Sequence, residues 1–171
     1  ANGSMAETVT QSTFNNSEGG GVLVRQNSSI PNFSDNEVRN NRGASSVALD
    51  ESSGMIARCE ITAPAGVGVS LFQASTLMMQ ESSVSNALAE GIAVYEGSQL
   101  DLSFVDVLNN GDSGILTAGA GTAATIADSA VTGNNGYGLN AQGESSITCT
   151  GSTVVSGNAQ GQTLGNVTGC N

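Results

Sequence analysis

Apolar residues in this chain recur at a long period, not at the spacing of a helix or a hairpin. Counted about Val107, they step by 23 or 24 residues through Phe14, Val38, Ile61, Val84, Val107, Val131 and Val154. Five residues ahead runs a second column: Val9, Phe33, Ile56, Met79, Leu102, Ile126 and Cys149. Seven residues behind the first column lie small residues: Gly21, Ser45, Gly68, Gly91, Gly114, Gly138 and Gly161. Two further columns follow the same steps, Val22, Ser46, Val69, Ile92, Ile115, Leu139 and then Val24, Ala48, Leu71, Val94, Thr117, Ala141. Shared irregular steps mark a structural repeat in which each unit stacks on the next.

Within one unit the apolar residues sit two apart, in short runs broken by small and polar residues. Side chains two apart share a face of a strand, so each run predicts a strand of three to five residues with its apolar side inward. Apolar residues do not recur at helical spacing, and β-branched residues are frequent. Stacking each strand on its counterpart one unit along gives parallel sheets, and parallel crossovers are right-handed. The expected fold is all-β, a right-handed parallel β-helix of about seven rungs of 23–24 residues over positions 7–171, near 34 Å long at about 4.8 Å per rung. Residues 1–6 read as a tag or a processed end. Two rungs, 21–44 and 114–137, carry one extra residue each, placed in the corner before the third strand.

The corners hold two polar columns. Ser29, Ser52, Ser75, Ser98, Thr122 and Ser145 place stacked hydroxyls where they can cap corner amides. Asn16, Asn40, Asn86, Asn109 and Asn110, drifting to Asn134, Asn135 and Asn158, supply a residue that tolerates left-handed backbone and can form an amide ladder. Cys59 falls with the small inward corner residues Ser12, Asn36, Ser82, Ser129 and Ser152, which predicts a buried thiol.

The stretches GIAVYEGSQLDLSFVDVLNN and GYGLNAQGESSITCTGSTVVSGN resemble the rung repeat of pectate lyase-like proteins, and the resemblance extends over about residues 7–165. It implies the β-helix fold. For function it implies enzymes such as polysaccharide lyases or glycoside hydrolases acting on uronate-rich glycans, whose sites gather Asp, Arg, Lys or His on an outward sheet face. This chain has no His and no Lys, and its four arginines, Arg25, Arg39, Arg42 and Arg58, all precede residue 59. The expected function is therefore a non-catalytic extracellular or cell-surface module serving as spacer, adhesive or glycan-contacting rod. An enzyme fragment is the alternative, and no catalytic residue is assigned.

Charge narrows the partners. Fifteen carboxylates against four arginines give a net charge of −11 and a pI near 4.1. Such a surface repels nucleic-acid backbones and anionic membranes, and no apolar run approaches the roughly 20 residues that span a bilayer. Polysaccharide or another surface protein fits better, and unpaired sheet edges at the ends of the coil add end-to-end self-association.

Three side-chain groups are candidates for specific chemistry. Glu37, Glu60 and Asp106 share an outward column, with Glu37 and Glu60 one rung apart. Two carboxylates at that spacing repel by about 1–3 kcal/mol, which calcium would relieve, as would Arg39 beside Glu37. No cofactor is expected, and calcium is the one candidate this column offers. Asp35, Arg58 and Glu81 alternate in sign at one corner, so Arg58 is placed to bridge both acids. Cys170 lies 21 residues after Cys149, close to one rung, so a disulfide there would pin the last turn. That bridge suits an exported protein.

Overall fold

A computed structural model describes residues 5–170; the expected processed end, residues 1–6, lies partly outside the described residues. Met5 already bridges to Ser29, and the Ala6 amide donates to the Ser29 carbonyl at 3.2 Å, so the second rung receives the chain ahead of residue 7. Among the described residues there are twenty-two short strands and no helix.

The strands stack in parallel into three sheets. The first has eight strands, from Val9–Thr10 to Val167–Thr168; the second has seven, from Thr13–Asn15 to Val154–Ser156; the third has seven, from Val22–Arg25 to Gly161–Leu164. Successive strands of one sheet lie about one rung apart in sequence, which is a parallel β-helix wound in the right-handed sense of parallel crossovers. The inward columns form one continuous core: Val38, Ile61, Val84, Val107 and Val131 from the second sheet, with Ile56, Met79 and Ile126 from the first. Burying each such side chain contributes about 1.5–3 kcal/mol.

The glycine column has a steric cause. A Cβ on Gly114 would lie 2.5 Å from Val131 Cγ1, 2.7 Å from Asn134 Nδ2 and 2.8 Å from the Gly138 carbonyl oxygen. The missing side chain leaves room for the core valine and for a corner asparagine.

That asparagine belongs to a ladder separate from the left-handed corner. Asn16, Asn40, Asn86 and Asn109 have φ between 53° and 57°, as expected. One residue further on, Asn41, Asn110, Asn134 and Asn158 turn inward and are buried. Asn110 donates its backbone N–H and its Nδ2 to Asn134 Oδ1 at 3.0 and 2.9 Å, and Asn134 repeats both bonds to Asn158 at the same distances. Pro64 and Ala87 interrupt the column. Pro64 has no N–H, so nothing is lost when the next rung offers Ala87 in place of an acceptor.

The register departs from the expected one in three places. In the third sheet Val22 pairs with Val47 and Val24 with Leu49, so Val47 and Leu49 fill the core in place of Ser46 and Ala48. Larger apolar side chains claim the interior, and the corner after Arg39 absorbs the shift. Near the end, Val155 pairs with Val131 and is buried while Val154 is half exposed, because the corner holds one more residue. Thr153, not Ser152, then takes the inward corner position, its hydroxyl donating to the Ile126 carbonyl at 3.2 Å. Ser29 lies in a strand opposite Ser53, not in the corner column. The extra residue before Thr122 is where it was expected, since Gln99 pairs with Ala123.

Candidate functional site

The second sheet brings Glu37 opposite Glu60 and sets Asp106 two rungs from Glu60, beyond Ser83. Arg39 forms an ion pair with Glu37. Among the described residues no three acidic, histidine or cysteine side chains gather as a metal-ligand set. The three carboxylates of the expected calcium column thus form one adjacent pair, already supplied with a cation, and a distant third.

At the neighbouring corner Arg58 donates Nε and an Nη to the two oxygens of Asp35, both at 2.8 Å. Those charge-assisted bonds hold the Asp35 carboxyl below its ordinary range and raise Arg58. The ion pair is with Asp35 alone; Glu81 contributes only a longer-range field, so the expected double bridge is single. Cys149 and Cys170 are joined, with Cα atoms 4.9 Å apart. Cys59 is a buried free thiol whose sulfur accepts from the Asn36 amide, and burial pushes its pKa up.

A cleft that the sequence columns did not indicate lies on the outer side of the third sheet. On its lining Arg25 pairs with Asp50 and Asp50 with Phe72, and Tyr95, one rung on, stacks against Phe72. Gln73 and Glu96 follow with φ of 51° and 56°, a left-handed turn that ends each strand at the cleft rim. The cleft encloses about 540 Å³. Small residues, Gly20, Gly21, Ala44, Ser45 and Ala48, make up much of its lining.

Three features give the cleft a chemistry. Phe72 lines the cleft and is backed by Tyr95, with ring centroids 5.3 Å apart and planes 11° from parallel. Asp50 Oδ1 is buried without a hydrogen-bond partner, an arrangement that costs free energy until a donor reaches it. Arg25, in register with Asp50, makes no ion pair among the described residues. Burial, with Glu90 and Asp112 nearby, raises the Tyr95 phenol, which therefore stays neutral. A hydroxyl-rich ligand with an apolar ring face and an anionic substituent matches a carboxylate with an unpaired oxygen, an aromatic wall and an unpaired guanidinium. Two aromatics in consecutive rungs, from four Phe and two Tyr in the chain, were the available sequence signal; inward columns cannot reveal an outward one.

A family model described as "Right handed beta helix region" matches residues 1–163. No curated protein matches the sequence. Among solved structures the chain is similar to the A-module of the Azotobacter vinelandii mannuronan C-5 epimerase AlgE4, with a TM-score of 0.57 and 14% identity. The alignment covers 98% of this chain and 57% of that one, so the chain spans little more than half that module's length. At this identity the likeness is one of fold.

Proposed function

We infer that this chain, which belongs to the right-handed β-helix family, is a non-catalytic module that contacts polysaccharide through the cleft beside Phe72. The single observation that carries the reading is Asp50: a buried carboxylate oxygen with no donor, set between an unpaired Arg25 and a stacked aromatic wall. A sugar hydroxyl donates to Asp50, the ring carbons of the sugar pack on Phe72, and Arg25 receives any acidic substituent. All four arginines lie within the first 58 residues, so the acidic remainder of the rod repels a polyanion while this end admits one. The Cys149–Cys170 bridge favours an oxidising, exported setting.

Calorimetry with mannuronan oligosaccharides, the polymer named for the similar epimerase, and with a neutral β-glucan tests the reading. Phe72→Ala is expected to weaken binding about tenfold, from the loss of about 1–1.5 kcal/mol of aromatic contact. Arg25→Ala is expected to remove the preference for the acidic polymer. Equal affinity of wild type and Phe72→Ala contradicts the site. Turnover of either polymer, abolished in Asp50→Asn, would replace the binding reading with a catalytic one.

A further inference from the structure

One aromatic ring stands where the fold has no structural use for it. Phe104 occupies the corner column that runs Gln11, Asp35, Arg58, Glu81, Phe104, Asp128 and Gly151, whose other members are polar or glycine. It is 62% exposed, and its φ is 54°. A bulky side chain is uncommon in that left-handed region. The ring touches no other aromatic among the described residues and lies outside the core cluster, so burial does not account for it.

Phe104 forms one wall of a shallow groove of about 510 Å³, on a different corner from the cleft beside Phe72. Glu60, Glu81 and Asp106 line the same groove, and none of them makes an ion pair among the described residues. Arg58 is the only cation on the groove wall, and both its bonds go to Asp35. Asp128, the next acid along the column, is turned to the following rung, where it accepts the Ser152 amide at 2.8 Å.

We propose that this groove binds a lysine side chain of a basic partner protein, its ammonium lying over the Phe104 ring while Glu81 and Asp106 accept its N–H bonds. A ring face is a negative quadrupole, and a carboxylate beside it adds charge and hydrogen-bond acceptors, so the pair selects a cation carried on an apolar stem. The partner is complementary in charge to a chain that carries no lysine of its own and, beyond residue 58, no cation at all.

Titration of the whole chain with an oligolysine peptide at fixed ionic strength, read by calorimetry, separates this groove from general attraction to an acidic rod. Phe104→Ala leaves every charge in place, and it is expected to weaken binding about fivefold. Glu81→Gln combined with Asp106→Asn is expected to weaken it more, whereas Glu144→Gln, at another corner, leaves it nearly unchanged. Phe104→Gly is expected to lose the same binding while its melting temperature holds or rises, because glycine adopts this φ freely. Equal binding by wild type and Phe104→Ala, or an equal loss in Glu144→Gln, overturns the proposal and assigns the attraction to net charge.

Discussion

The rungs before residue 67 and the rungs after it follow the same repeat with different discipline. In the later rungs the strands pair residue for residue, and the ladder Asn110–Asn134–Asn158 runs unbroken through the corner. In the earlier rungs Val22 to Val47 spans 25 residues and Val47 to Val69 only 22, and the strand Ser29–Ser34 bulges between Ile30 and Phe33. Charge divides the same way. Residues 1–58 hold all four arginines against six carboxylates, and residues 59–171 hold nine carboxylates and no cation. The cleft lies where the two meet, lined by Gly20, Arg25, Ala44 and Asp50 of the irregular rungs and by Phe72, Gln73 and Glu96 of the first regular ones. Regular stacking supplies the aromatic wall, and the register shift beside it sets Arg25 and Asp50 in line with that wall.

The largest expected effect comes from a methyl group placed at a crowded corner of the later rungs, set against one at an open corner of the earlier rungs. Gly114→Ala drives a Cβ into Val131 and Asn134, and it is expected to cost about 3 kcal/mol or more through overpacking and a broken ladder. Gly19→Ala, with Ser17 Oγ 4.0 Å away as its nearest neighbour, is expected to change stability little. Chemical denaturation of both variants tests the pair, and equal losses would show that the contacts around Gly114 do not set its cost.

Next in size is the clamp on the last turn. The Cys149–Cys170 bridge closes a loop of about one rung, and removing it by Cys170→Ala is expected to cost about 3 kcal/mol. Hydrogen exchange in that variant should rise first in residues 161–168, which form the final strands.

Buried polar groups give a comparison of opposite signs. Asn134→Ala strands the Asn110 amide and the Val107 carbonyl, a loss of about 2 kcal/mol. Ser46→Ala, in the irregular second rung, removes a buried hydroxyl that has no partner and is expected to be neutral or to stabilise by about 1 kcal/mol. Thermal melts should fall for Asn134→Ala and hold or rise for Ser46→Ala.

The smallest effect is a pH dependence confined to the early rungs. Asp35 is held below its ordinary carboxyl range by Arg58, so its contribution is present above about pH 4 and is lost as the pH falls through its folded value. Asp35→Asn should flatten the acid side of the stability profile slightly, and added salt should mask the difference, because both groups are exposed.

Most of this fold was legible because a solenoid writes its core into the sequence once per rung. The columns through Val107, Leu102 and Gly91 are the observed inward positions and close approaches. What the columns misplaced lay where two neighbouring residues compete for one position. Ser46 and Val47, or Val154 and Val155, are separated by packing volume and corner length, which a fixed step cannot weigh. The Cys149–Cys170 bridge was legible from its near-rung spacing. The cleft was not, since Arg25, Asp50 and Phe72 are ordinary outward residues until a register shift of the third sheet aligns them.

Hydrogen exchange followed by mass spectrometry, with and without mannuronan oligosaccharides, tests the central claim most directly. Bound sugar is predicted to slow exchange in residues 20–25, 44–50 and 70–73 around the cleft, and to leave residues 123–132 and 146–156 unchanged. Protection spread along the whole rod, or confined to the rungs after residue 100, would contradict the assignment of ligand binding to the cleft beside Phe72.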